Sequence, residues 1–220
     1  MRVYYINGLG VDSSVFKELH VSGIDPVFLE WLPLHGSETM TSYARKIIEH
    51  YGIPSNGFVV GLSFGGMLAQ EMQAILPDLR IVLISSSYGK NGFPWYLKWF
   101  LFLRIYRLIP GIFISKTNFI SNWLFGVETT RDRNTLKELF QKMNSIQVKR
   151  MIHCIATWNP SPALISSSIH GEKDRLLYPQ KDAVDLISSA GHFAVFTHAD
   201  EVSNKLQQRL GELISSPESA

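Results

Sequence analysis

The chain has 220 residues, 45% hydrophobic and 18% charged, enough apolar material for one large domain and too little charge for a disordered chain. A net charge of +2 gives no basis for nucleic-acid binding, and a single cysteine, Cys154, excludes an internal disulfide. The opening residues, Met1 to Gly8, lack the long apolar stretch of a signal peptide and read as a strand, so a cytoplasmic location is expected.

Taken in chain order, short β-type apolar runs alternate with helical patterns, which predicts a parallel sheet covered on both faces. Strands are expected at Val3–Ile6, Pro26–Glu30, Gly57–Leu62, Arg80–Ser85, Ala163–Ser167 and Ala183–Ser188. The spacing predicts a helix over Thr39–Tyr51, with Tyr43, Ile47 and Ile48 on one side. A second follows the third strand, from Met67 to Leu76, and stops at Pro77. A closing helix is expected at Asp200–Leu213, with Val202, Leu206, Leu210 and Leu213 at helical spacing, before a loose tail from Ser215 to Ala220.

Residues 89–160 break this rhythm. They are too long for a plain connection between two strands and read as a helical cap inserted into a core of residues 1–88 and 161–220. The first half, Phe93 to Phe125, is crowded with aromatics, and its charges are all basic: Lys98, Arg104, Arg107 and Lys116. Trp95, Trp99, Phe102, Tyr106 and Ile109 fall on one helical stripe, with Leu97, Phe100, Leu101 and Leu108 opposite. A run so apolar on every side is not an ordinary solvated helix, and its charges and Pro110 exclude a membrane span. Three roles fit it: lining a substrate pocket, lying on a membrane surface, or forming a homodimer contact. The first is the expectation here, with Trp95, Trp99, Phe102 and Tyr106 facing an apolar substrate. Residues 130–153 read as ordinary amphipathic helix.

The strongest chemical signal is Gly61-Leu62-Ser63-Phe64-Gly65-Gly66, placed after an apolar strand and before a helix. Strand, sharp turn and helix are what a nucleophile elbow requires, and small neighbours keep the serine accessible. A serine hydroxyl needs a base, and the base needs an orienting acid. His192 follows the last expected strand and Asp174 the one before, so both belong to loops at the sheet edge where Ser63 lies. Glu172, Asp182 and Asp185 compete with Asp174 as the acid. The oxyanion of the transition state needs N–H donors. Phe64, after the nucleophile, supplies one, and Leu9, in the loop Asn7-Gly8-Leu9-Gly10, the other. His170 reads as structural, His198 as the start of the last helix, and Cys154 as a buried thiol beside His153. No metal-ligand spacing, P-loop or dinucleotide fingerprint is present in the sequence.

Together these pieces resemble an α/β-hydrolase of the small esterase and thioesterase type. The matching motifs are Asn7-Gly8-Leu9-Gly10, Gly61–Gly66, His170-Gly171-Glu172-Lys173-Asp174 and Gly191-His192, in the family's order along nearly the whole chain. Three departures stand out. Asn7-Gly8 replaces the usual His-Gly, the family's first two strands are missing, leaving about six, and the segment between Asp174 and His192 is short. The resemblance implies hydrolysis of a carboxylic ester or thioester with an apolar acyl or alcohol part, through a covalent acyl-enzyme and without a cofactor. Ser63 would attack, His192 would shuttle the proton and Asp174 would orient it. Acyl transfer or thioester cleavage on a carrier-bound intermediate, and a non-hydrolytic ligand-binding role that keeps the triad, are the alternatives.

Overall fold

The computed structural model describes residues 1–162, 167–180 and 184–215. Six strands, β1 (Arg2–Ile6), β2 (Asp25–Leu29), β3 (Phe58–Leu62), β4 (Arg80–Ile84), β5 (Ser167–Gly171) and β6 (Val184–Ile187), form one sheet in the order β2-β1-β3-β4-β5-β6. Every neighbouring pair is parallel. Side chains alternate across a strand, so each strand feeds two cores. Tyr4, Ile6, Val59, Ile81 and Leu83 pack on one face against α1 (Met40–Tyr51) and α2 (Phe64–Ile75). Val3, Tyr5, Val60, Val82, Ile84 and Ile187 face the other way, towards α9 (Ala199–Ser215). Both faces are dry, which is why these strands read as continuous apolar runs.

Local chemistry sets the helix ends. Thr39 and Ser42 form a reciprocal capping box at the start of α1, and Gly52 ends it in the left-handed conformation. Most differences from the expected elements are small. The fifth strand differs more: of the expected Ala163–Ser167, residues 163–166 lie outside the described residues, and β5 runs Ser167–Gly171, past the expected end. The register decides it, since Val82 pairs with Ser167 and the Ser85 N–H donates to the Ile169 carbonyl. Serines fit a central strand there because the ladder satisfies the backbone whatever the side chain. Ala183 and the tail residues 216–220 also lie outside the described residues.

Between β4 and β5 come α3 (Trp95–Phe102), a 3-10 turn (Ile105–Arg107), α4 (Gly111–Ile114), α5 (Phe119–Phe125), α6 (Thr130–Gln141) and α7 (Ser145–Thr157). The expected stripe from Trp95 to Ile109 needs one continuous helix, and the structure breaks it. α3 ends at Phe102, and Arg104 takes a left-handed backbone at φ 53° before the 3-10 turn. Tyr106 is thereby turned inward, where its hydroxyl meets His153 Nδ1 at 2.8 Å.

α2 is buried on every side from Phe64 to Gln73, because sheet, α1 and the inserted segment all close on it. Its polar side chains are therefore structural ties. Glu71 accepts from Trp158 Nε1 at 2.9 Å, the Ser161 N–H at 3.0 Å and Thr41 Oγ1 at 2.6 Å, joining α1, α2 and the end of the insertion. Glu71→Ala strands these donors in a dry site and should lower the unfolding free energy by about 3 kcal/mol in urea titrations. Glu71→Gln should cost about 1 kcal/mol or less, because the Thr41 and Ser161 hydroxyls can turn to accept from the new amide.

Candidate active site

Ser63 stands between β3 and α2 with φ 51° and ψ −112°, a backbone region that L-residues rarely occupy. The turn is held from below, with the Ser63 N–H donating to the Ile84 carbonyl at 2.9 Å and Ser86 Oγ to the Ser63 carbonyl at 2.7 Å. α2 also crosses β1 at close range. A Cβ on Gly65 would sit 2.4 Å from the carbonyl oxygens of both Ile6 and Asn7, so glycine is required there.

The hydroxyl of Ser63 lies 3.0 Å from His192 Nε2, and His192 Nδ1 lies 2.8 Å from Asp174 Oδ2. The carboxylate can only accept, so Nδ1 carries the proton and Nε2 is free to take one from Ser63. Asp174 is buried, and its other oxygen accepts from the Leu176 and Leu177 N–H groups at 2.8 and 2.9 Å. Burial alone would raise its pKa. The charge and hydrogen bonds of His192 and His170 outweigh that and hold it at about 2, so Asp174 is ionised at neutral pH.

The competing acids lie elsewhere. Asp185 is bound bidentately by Arg209 at 2.5 and 2.7 Å, and exposed Glu172 accepts from Ser188. Asp182 lies outside the described residues. His170 has a larger part than the sequence suggested. Its Nε2–H points between Asp174 Oδ2 and the Leu177 carbonyl, both at 2.9 Å, so Asp174 carries a histidine on each side. His198 sits between α8 (Ala194–Thr197) and α9, with its ring nitrogens near Thr197 and Ser189.

The insertion reaches His192 directly. A Cβ on Gly191 would lie 2.7 Å from the Gly126 Cα, and the Phe193 N–H donates to the Phe125 carbonyl at 3.0 Å. The Phe125 ring meets the His192 ring edge-on at 5.3 Å, so α5 fixes the imidazole. Phe64 opens α2, where a backbone N–H has no acceptor within its own helix. Leu9 sits in a loop closed by the Val11 N–H to the Gly8 carbonyl. Two side chains hold this loop, Asn7 of the motif itself and Trp31, which the sequence did not single out. Asn7 Nδ2 donates to the Leu29 carbonyl at 3.0 Å and Trp31 Nε1 to the Val11 carbonyl at 2.9 Å.

Ser63 and His192 open into a cavity of about 270 Å³. Its roof comes from Leu97, Phe100 and Leu101 of α3 with Ile152 and Ile155 of α7, and its floor from Leu9, Phe64 and Met67. Among the described residues, only Ser63 and His192 bring polar side chains to the wall. The expected lining is corrected here. Trp95, Trp99 and Phe102 are 71%, 56% and 76% exposed on the outer side of α3, and Tyr106 is buried against His153. A helix apolar on both sides offers no sequence signal for which side faces inward; packing on α7 chose the leucine and Phe100 side. Cys154 is buried, its thiol pushed up to about 11 by desolvation, and the described residues hold no cluster of metal-ligating side chains.

A six-stranded parallel sheet with a serine on a strained strand–helix turn, a histidine beyond the last strand and an acid beyond the one before it defines an α/β-hydrolase. The chain belongs to the Alpha/beta hydrolase family, whose pattern it matches over residues 5–205. Its fold is shared with solved structures of low identity. A carboxylesterase of the thaumarchaeon Nitrososphaera gargenis matches at 17% identity and TM-score 0.72, covering 97% of this chain and 90% of that one. An esterase from Exiguobacterium antarcticum matches at 12% identity and TM-score 0.72, covering 98% and 92%. A bromoperoxidase from Bacillus anthracis matches at 16% identity and TM-score 0.63, covering 96% and 91%. No protein of curated function matches by sequence.

Ser63→Gly should remove the strained conformation together with the hydroxyl. The variant is expected to gain about 1 kcal/mol of stability in thermal or urea unfolding and to lose all labelling by a fluorophosphonate probe. Asp174→Asn should keep the geometry but disturb the imidazole tautomer, lowering kcat by about 10³–10⁴-fold. Glu172→Gln and Asp185→Asn should remain within a few-fold of the parent in the same assay.

Proposed function

We propose that this chain is a serine hydrolase that cleaves a carboxylic ester or thioester with an apolar acyl or alcohol part. The observation that carries the reading is the Ser63–His192–Asp174 relay opening into an apolar cavity. Ser63 Oγ attacks the carbonyl carbon while His192 Nε2 takes its proton. Asp174 keeps the ring in the tautomer that permits this and stabilises the imidazolium that forms. The oxyanion is received by the N–H groups of Phe64 and Leu9, at the positive end of α2. His192 then protonates the leaving alkoxide or thiolate. Water, activated by the same nitrogen, releases the acid from the acyl-enzyme. The residues invoked are all this chain's own, and the mechanism calls for no cofactor.

The wall selects the substrate. With only Ser63 and His192 polar among its described residues, nothing in it compensates a charged or hydroxylated acyl chain for lost water. Each buried methylene contributes about 0.8 kcal/mol, up to about fourfold in kcat/KM. Across p-nitrophenyl esters, kcat/KM should therefore climb from acetyl to hexanoyl or octanoyl and then level as the cavity fills. Phe100→Ala should change this slope, whereas Trp99→Ala should leave it intact. A flat profile in the parent chain would sink the apolar-acyl reading. Binding of a long-chain ester without turnover would instead indicate a ligand-binding protein.

A further inference from the structure

We propose that the outer surface formed by α3, the 3-10 turn and α4 docks on an anionic phospholipid bilayer. Of the seventeen large apolar side chains exposed among the described residues, eight lie in the nineteen residues from Trp95 to Phe113. Trp95, Trp99 and Phe102 stand at i, i+4 and i+7 on the outer side of α3, and Leu108 and Phe113 continue the surface. α3, the turn and α4 all pack on α7, so they lie side by side as one layer. A monomer in water gains nothing by exposing so much contiguous aromatic area, which marks the surface for contact with something apolar.

The charges choose the occupant. Lys98, Arg104 and Arg107 are exposed within the same stretch, Lys149 of α7 donates to the Arg107 carbonyl, and Lys116 follows shortly after α4. No acidic residue occurs anywhere from residue 79 to residue 127. A symmetric dimer through this surface would set the basic groups against their own copies, with no carboxylate in the stretch to pair them. A bilayer carrying anionic headgroups meets both demands: the aromatics enter the headgroup–acyl boundary and the cations stay at phosphate level. Among the described residues no helix is long and apolar enough to cross a membrane. The short helices, broken at Arg104 and Pro110, suit a segment lying in the interface plane instead.

The inner side of α3 roofs the cavity above Ser63, so the helix stands between catalytic serine and lipid. Docking itself does not depend on the proposed hydrolysis and is measured apart from it. Co-sedimentation is run with phosphatidylcholine vesicles and with vesicles containing about one-third phosphatidylglycerol, at low and high salt. Expected is strong binding to the anionic vesicles at low salt, at least about tenfold weaker binding to phosphatidylcholine alone, and release at high salt. Arg104→Gln/Arg107→Gln should weaken anionic binding by about tenfold or more, and Trp99→Ser/Phe102→Ser by a comparable factor. Both variants should keep parental turnover of a short water-soluble ester and parental fluorophosphonate labelling. Absence of binding to either vesicle, or binding equal on both and indifferent to salt, overturns the proposal. So does light scattering that shows a dimer which Trp99→Ser/Phe102→Ser dissolves, since the occupant is then a second copy of the chain.

Discussion

The structure is organised around the crossing of α2 over the sheet. α2 begins directly after β3 and passes so close to β1 that the carbonyls of Ile6 and Asn7 leave no space for a Cβ at Gly65. That contact forces Ser63 into its unfavourable backbone conformation, and bonds from Ile84 and Ser86 keep it there. The strain, on the order of 1–3 kcal/mol, is sustained by one of the most thoroughly buried helices in the molecule. What it produces is position. The hydroxyl is lifted out of the sheet edge to within 3.0 Å of His192 Nε2, while the first amides of α2 open beside it.

His192 and Asp174 depend on less rigid parts. His192 and Asp174 are on loops, and loops need partners to stay in place. Asp174 is fastened by two backbone amides and by His170 as well as by His192. The His192 loop is clamped by backbone contact with Gly126 and by the Phe125 ring. Tyr96 of α3 donates to the Arg175 carbonyl, beside the acid. The inserted helices thus do two things: they roof an apolar cavity, and they hold the Asp174 and His192 loops against the sheet.

α3 is a helix with two apolar sides, and they meet different surroundings. Leu97, Phe100 and Leu101 fill the roof of the cavity, while Trp95, Trp99 and Phe102 face outward among basic groups. In a soluble helix one side would be polar. Here the outer side keeps its aromatics, and this is the surface proposed to meet a lipid interface.

Much of this molecule was legible from its residues. Apolar runs of strand length alternating with helical periodicity specify a parallel sheet, because such strands are buried on both faces and show no alternation. Gly61 to Gly66 announced the elbow, since a serine between small residues after a strand has few other structural uses. Asp174 and His192 followed from chain order and from their places just beyond strands. The extent of β5 was not legible, because the expected strand stopped at Ser167 and only pairing with β4 shows that it runs on through Ser168 to Gly171. Nor was the orientation of α3. Periodicity identifies a face by contrast between apolar and polar sides, and a helix without that contrast gives no direction. Only the break at Arg104 and the packing on α7 turned Tyr106 inward, Phe100 towards Ser63 and Trp99 outward. The ties of Glu71, Trp31 and His170 were hidden for the same reason: each is one polar residue in an apolar setting, and its partners are distant in the chain or set by a loop that forms only when the fold closes. Sequence determines which side chains must leave water; the tertiary structure decides which of them meet.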